Sequence, residues 1–292
     1  ELERKKVRIV CDCRIQKLCM QKSGWQVFTD QGQYHFDRLI ISCGTAAGIP
    51  PKEAFGTGNL TAAFAFKQYP YLPALTALRC EEKFYKSIAG VRCPAAITVE
   101  IPGRKKLCES GELQLTDYGI SGIPVFQISR YAARGLYEKK EVFAELDFMP
   151  DFGDVEFLQM LKERKIRLDG LVMEQYFNGL FHKKLAGALL KRIGISGTMP
   201  VHDLSEENLE RLCRICKHFR TYIDKTNPFE QAQICAGGVD TSEIDPDTME
   251  SKLVKGLYFA GEILDVDGIC GGYNLQWAWT SGYLAGKGAA NA

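Results

Sequence analysis

The run Gly256-Leu257-Tyr258-Phe259-Ala260-Gly261-Glu262 is followed by Asp265-Val266-Asp267-Gly268 and then by Gly271-Gly272-Tyr273-Asn274-Leu275-Gln276. No other stretch of this chain constrains its fold as strongly. The order spells a short apolar strand, a tight glycine–acid turn, a glycine-rich loop and the start of a helix. The first backbone N–H groups of a helix lack intrahelical acceptors and sit at the positive end of its dipole, so a flat, partly anionic ligand can rest on them. Gly271 and Gly272 permit close backbone approach and unusual φ values, and Asn274 and Leu275 present first-turn N–H groups. Glu262, at a strand end, is placed to accept a hydrogen bond from a ligand hydroxyl. The glycines alone leave a second reading open, a turn that merely caps a packing helix.

Composition narrows the class without naming a chemistry. The 292 residues are 46% hydrophobic and 25% charged, as in ordinary globular proteins, and suffice for two domains. A net charge of +1 and the lack of a long basic run give no case for nucleic acid or an anionic membrane surface. No apolar stretch approaches the roughly 18 residues that span a bilayer. Eleven cysteines without a disulfide-framework spacing fit reduced thiols and a cytoplasmic protein. Cys213-x-x-Cys216 has no second CxxC or nearby His pair to complete a zinc site, so packing is its reading, and Cys11 and Cys13 read as core-side residues of one strand. His35, His182, His202 and His218 are isolated, so no metal is expected. The chain begins at Glu1 in a charged, strand-like segment without a signal peptide, a start that suggests an N-terminal truncation.

Along the chain, 7–18, 25–29 and 35–42 read as strands, with a hairpin at Asp30-Gln31-Gly32-Gln33. Leu39-Ile40-Ile41 reads as a strand buried on both faces, and 60–68 as a helix. Pro70 and Pro73 mark a boundary. Beyond it, 91–101, 112–116 and 142–148 read as strands, with Gly103-Arg104-Lys105-Lys106 as a solvated turn; 124–131 fits strand or helix. Helices are expected from Asp154 as cap to 165, over 178–192 ended by Gly194, and over 205–222 with Ser205 as N-cap. The layout is an α/β domain at both ends of the chain, 1–72 and 229–292, interrupted by a β-barrel-like plus helical domain over 73–228.

Several blocks carry a resemblance: Ala236-Gly237-Gly238-Val239, Thr248-Met249-Glu250-Ser251-Lys252, Gly261-Glu262, Asp265-Val266-Asp267-Gly268, Gly272-Tyr273-Asn274-Leu275-Gln276 and Ser281-Gly282. In this order they resemble the closing flavin-binding region of bacterial FAD flavoproteins of the aminoacetone-oxidase or dehydro-bile-acid-reductase type, which have a two-dinucleotide-binding fold. Gly111 to Thr116 with Tyr118 to Gly122 resembles a block of that family's inserted domain, with Asp117 where many members have His. Any catalytic duty of that His does not transfer. Ser42-Cys43-Gly44 resembles the strand end that lies against the FAD, and Gly56-Thr57-Gly58-Asn59 the family's Thr-Gly-Asp-Gly turn. The segment around Arg14 and Ile15 corresponds loosely to the strand that meets the adenine. The resemblance covers about 9–286.

The resemblance implies a FAD-dependent oxidoreductase, with hydride passing between flavin N5 and a small-molecule substrate, either an oxo-steroid-like enone or a small amine. NAD(P)H is a candidate electron donor. Cys43, Gly44, Gly261, Glu262, Gly271, Gly272, Asn274, Leu275 and, loosely, Ile15 are the implied cofactor contacts. Glu262 would take a ribityl hydroxyl, and Tyr118, Ser121 and Tyr273 are candidate substrate-pocket residues whose reading as turn and core residues stays open. The departure is at the start: no Gly-x-Gly-x-x-Gly pyrophosphate cradle occurs in the chain. That absence keeps an alternative open, a non-catalytic domain pair that binds no flavin and whose open sheet edge is filled by a second copy, a homodimer.

Overall fold

The computed structural model describes residues 1–22, 24–49 and 64–291. Two compact units emerge, 1–71 with 236–292, and 72–235. In the first, β1 (Ile15–Gln21), β2 (Gly24–Thr29) and β3 (Gly32–Phe36) form an antiparallel sheet with the expected hairpin at Asp30-Gln31. Trp25, 1% exposed, packs beneath it and donates its indole N–H to Gly256 O at 3.1 Å.

The N-terminal strand begins eight residues later than the apolar alternation suggests. Asp12 adopts a left-handed φ of 53°, which interrupts extended backbone. Cys11 is therefore exposed and Cys13 half-buried, outside any strand, rather than both on a core face. The run 35–42 is also divided: β3 stops at Phe36, and β4 (Leu39–Ile41) leaves the antiparallel sheet to pair in parallel with a strand more than 200 residues away. Burial of β4 on both faces is not realised. Ile41 is buried, but Ile40 is 38% exposed, since among the described residues β4 has a strand neighbour on one side only. Of the helix expected over 60–68, the first four residues lie outside the described ones, as does the Gly56–Asn59 turn; Phe64 and Ala65 form a turn and Gln68 opens β5 (Gln68–Ala74).

The second unit is built on β6 (Leu78–Cys80), β7 (Arg92–Glu100), β8 (Leu107–Leu115), β9 (Gly119–Ser121), β10 (Phe143–Asp147) and β11 (Phe219–Thr226). They close a barrel in the order β10-β11-β6-β9-β8-β7, every pairing antiparallel. Period-2 alternation fills it: Ala95, Ile97 and Val99 on β7, Ala144 and Leu146 on β10, and Phe219, Thr221 and Ile223 on β11 are all buried. Closure depends on Gly119 (φ 150°), where a Cβ would stand 2.3 Å from Leu78 O.

Helices α1 (Phe84–Ile88), α2 (Ile123–Tyr137), α3 (Asp154–Arg167), α4 (Met173–Tyr176), α5 (Lys183–Arg192) and α6 (Glu206–Lys217) complete this unit. Pro124 sits in the first turn of α2, which resolves the strand-or-helix ambiguity. Gly153, not Asp154, is the N-cap of α3, and Asp154 lies in its first turn. The helix expected over 178–192 starts only at Lys183, where His182 Nδ1 accepts the Lys184 N–H. The Ser205 hydroxyl accepts the Asn208 N–H at 3.2 Å, the expected cap of α6, but the helix ends at Lys217 instead of running to 222. The sequence there switches to period 2 to supply the barrel's β11. Cys213 and Cys216 are buried on α6, with burial raising both thiols, and no metal-holding cluster occurs among the described residues.

The chain returns through β12 (Ile234–Val239), which pairs with β5, to β13 (Leu257–Phe259) and the closing helix α7 (Tyr273–Asn291). Ser281 and Ala285 anchor α7 to its unit, while Leu275, Trp279 and Tyr283, four residues apart, stand exposed. No helix among the described residues is long and apolar enough to cross a membrane.

Candidate functional site

β4 and β13 run parallel, with Leu257 opposite Leu39 and Phe259 opposite Ile41. Their carboxyl ends therefore lie side by side, and the ladder continues through the Ala260 N–H to Ile41 O at 3.0 Å. Ligands of open α/β sheets bind outside the carboxyl ends of parallel strands. Here the two ends release Cys43-Gly44-Thr45 and Gly261-Glu262. Gly44 (φ 64°) and Gly261 (φ 77°) both take left-handed backbone, and a Cβ on either would meet no atom within 4 Å. Among the described residues, the space above both turns is open.

Thr45 joins the two turns. Its hydroxyl, on a residue 6% exposed, donates to Glu262 Oε1 at 2.8 Å and accepts the Ala47 N–H at 3.3 Å. The Gly261 peptide is gripped from α7: its N–H donates to Ser281 Oγ at 2.9 Å, and the Trp277 indole N–H donates to its carbonyl at 3.1 Å. Ser281 in turn donates to Trp277 O at 2.7 Å. One helical turn thus fixes both polar groups of a left-handed glycine. Thr45 and Trp277 escaped the sequence reading; the signals available were a Thr directly after the strand-end glycine and a Trp four residues before Ser281.

The glycine-rich loop is closed by Asn274. Its Oδ1 accepts the Gly268 N–H at 2.8 Å and its Nδ2 donates to Gly268 O at 3.2 Å, so the side-chain amide pairs with a peptide as a strand would. A Cβ at Gly268 would come 2.9 Å from Tyr273 Cβ. Gly271 (φ 114°) and Gly272 (φ 91°) then turn the chain into α7, and a Cβ at Gly272 would meet nothing within 4 Å. The helix's own ladder starts with the Gln276 N–H to Gly272 O. Asp265 fastens the preceding segment by accepting the Gly237 N–H at 3.1 Å, and Gly238 packs where a Cβ would stand 2.5 Å from Ile263 O.

The strand ends thus bring Cys43 and Gly44 beside Gly261 and Glu262. Gly271, Gly272, Asn274 and Leu275 open the helix that holds Gly261, and Tyr273 is 58% exposed at its first position. Ile15 starts β1 in the separate antiparallel sheet, opposite Thr29, and no described contact draws it to this place. Tyr118 and Ser121 belong to the barrel unit. Tyr118 lines a cleft there, whereas Ser121 is 8% exposed within β9 and does not.

The residues at the two strand ends fit the ring and ribityl half of a flavin nucleotide. Among the described residues, open space lies over three left-handed glycines, a carboxylate is held at the strand end, and an N-terminal helix turn follows a glycine pair. A pyrophosphate cradle of the Gly-x-Gly-x-x-Gly type is not in this sequence.

The family description HI0933-like protein Rossmann domain matches residues 1–288. The chain is 42% identical over 297 residues to the 3-dehydro-bile acid delta(4,6)-reductase of Clostridium scindens, an alignment covering 99% of this chain and 71% of that protein. It is 32% identical over 263 residues to the ribosomal RNA dihydrouridine synthase of Haemophilus influenzae, covering 86% of this chain and 60% of that protein. The enzyme of the same name from Escherichia coli is 32% identical over 203 residues, 68% of this chain and 46% of the relative. The expected α/β fold with an inserted barrel is the one observed. On a match that runs through both units, this chain belongs to the HI0933-like protein Rossmann-domain family.

Proposed function

We propose that this chain forms most of a FAD-dependent oxidoreductase that saturates a carbon–carbon double bond conjugated to a carbonyl group. The observation that carries the reading is the pair of parallel strand ends, Gly44-Thr45 and Gly261-Glu262, facing open space beside a glycine-initiated helix. The names of the relatives add the reaction class, because a delta(4,6)-reductase and a dihydrouridine synthase both reduce C=C bonds next to carbonyls. All three names are those of enzymes, which lends nothing to the alternative of a non-catalytic domain pair. The higher identity favours a steroid-like enone as substrate over a nucleobase in RNA.

FAD, when bound, supplies two-electron chemistry that no side chain offers, and NAD(P)H is the proposed electron source. The protein's part is binding and electrostatics. Glu262, oriented by Thr45, would accept a hydrogen bond from a hydroxyl of the ribityl chain. The N–H groups at Gly272, Asn274 and Leu275 and the positive end of α7 favour negative charge at the flavin's N1 and O2 edge, by about 0.3–1 kcal/mol and up to about 2 kcal/mol when shielded from water. Cys43 and Gly44, at the end of β4, would flank the bound flavin.

The test is the visible spectrum of the purified chain after FAD addition and removal of free dye. Retained flavin that bleaches anaerobically with NADH or NADPH, and recovers on adding a 3-oxo-4,6-diene steroid acid, is the expected result. Absence of retained flavin at millimolar FAD sinks the reading for this chain.

A further inference from the structure

We infer that the barrel unit carries a recognition site for the carboxylate of an otherwise apolar ligand, with Arg79 as its anchor. Next to Tyr118 lies a cleft of about 720 Å³ within this unit. That is large enough for a steroid-sized molecule. Pro73, Pro228 and Phe229 give it apolar wall.

Arg79, on β6, is held from two sides. Its guanidinium carbon lies 4.8 Å from the centroid of the Tyr118 ring, and its Nε–H donates to Asn227 Oδ1 at 2.9 Å. Asn227, only 4% exposed, spends its other amide end on the Tyr118 hydroxyl at 3.2 Å, and its backbone N–H donates to Ala77 O at 2.9 Å. Three side chains therefore brace one another, and the guanidinium plane is set before any ligand arrives. Neither terminal nitrogen of Arg79 has a partner among the described residues. Four N–H donors in a fixed fork are left facing the cleft, the geometry that matches a carboxylate with two parallel hydrogen bonds.

Net field does not explain selectivity here. Four carboxylates, Glu81, Glu82, Asp117 and Asp224, and three ammonium groups, Lys83, Lys86 and Lys225, line the same cleft, and Glu82 pairs with Arg192. Against this mixed lining, Arg79 offers a donor fork held in a fixed orientation by Tyr118 and Asn227. The apolar wall of Pro73, Pro228 and Phe229 beside that fork favours a small apolar acid over a nucleic-acid backbone. The inference deepens the proposed reduction of a steroid-like acid and rests on it for the ligand's class, though not for the site.

The probes are deoxycholate below its micelle concentration and its uncharged methyl ester, titrated calorimetrically into the full chain. The wild type is expected to bind the acid at least about tenfold more tightly than the ester, the scale of one charge-assisted fork. Arg79→Met brings the ratio close to one. Arg79→Lys, which keeps the charge and loses the fork, retains a fraction of it. Tyr118→Phe, which releases Asn227 and leaves the ring in place, lowers the ratio severalfold while the far-UV spectrum stays unchanged. Equal binding of acid and ester by the wild type overturns the inference. So does an acid preference that survives both Arg79 variants, or no binding of either probe at millimolar concentration. Arg79-dependent binding of a short RNA that displaces deoxycholate reassigns the fork to phosphate and overturns the carboxylate assignment. A parallel FAD titration on the same samples separates the two readings, because loss of flavin binding with an intact acid preference sinks the flavoenzyme and leaves this site standing.

Discussion

Thr45 and Glu262 stand 217 positions apart in the chain and meet through a 2.8 Å hydrogen bond at the ends of two parallel strands. The Thr45 hydroxyl donates, so it fixes one carboxylate oxygen of Glu262.

Replacing Thr45 by Val keeps the shape and removes this donor. FAD affinity is expected to fall about tenfold, the scale of a hydrogen bond to a charged group, with the melting temperature little changed. Fluorescence titration of FAD against the variant and the wild type measures it. Unchanged affinity would show that Glu262 needs no orientation.

Asn274 occupies both polar atoms of the Gly268 peptide. Asn274→Ala should cost about 1–3 kcal/mol in urea unfolding and speed amide exchange across 266–272, since it leaves two backbone groups without partners. Asn274→Asp, which can accept from the Gly268 N–H but cannot donate to its carbonyl when ionised, should fall between. If the two variants unfold alike, the donated bond is without consequence.

Lys217 is 4% exposed and gives its ammonium to Asp147 Oδ2 at 2.6 Å, to Met149 O at 2.8 Å and to Phe152 O. It ties the end of α6 to the loop before α3. Lys217→Met strands a carboxylate and two carbonyls, for an expected loss of about 3 kcal/mol, the low end for a buried pair deprived of one partner, because Asp147 keeps some water. Equilibrium denaturation of the chain checks this, and a loss below about 1 kcal/mol would mean that water replaces the ammonium.

His218 bridges Asp154 (Nε2 to Oδ2, 3.0 Å) and Glu145 (Nδ1 to Oε1, 3.2 Å). The hydrogen bond to Asp154, then that to Glu145, raises its pKa above the ordinary 6.5. A raised folded-state pKa means that the imidazolium's contribution is fully present below the unfolded value and fades as pH climbs through the folded one. Thermal melts of the wild type should therefore weaken on passing upward from pH 6.5, and His218→Gln should flatten that slope. Parallel slopes in the two proteins would exclude the bridge as a source of pH dependence.

Local order was legible in the sequence wherever a few neighbouring residues decide it. Ser205 before Glu206 and Glu207 announced a helix start, Asp30-Gln31-Gly32 a hairpin, and Gly271-Gly272 the entry into α7, because caps, turns and glycine angles are settled within four or five positions. The boundaries that failed lie where period gives way to partner. The apolar run 7–18 alternates like a strand, yet Asp12 turns left-handed and only 15–21 finds a pairing strand. Helix α6 reads as continuing past Lys217, but the barrel claims Phe219 onward.

The sequence by itself determined that a strand, an acidic turn and a glycine-opened helix stand together at the C-terminal end, and that a different, β-rich and helical region interrupts the chain. Only the tertiary structure decided which distant residues complete that end: Thr45 on Glu262, and Trp277 and Ser281 on the Gly261 peptide. It also decided that Arg79, Tyr118 and Asn227, up to 148 positions apart, brace one another in the barrel. The physical reason is the range of the forces involved. Capping and periodicity act through adjacent peptide units, whereas a hydroxyl meets a carboxylate across 217 positions only after parallel strands have paired and their register is set.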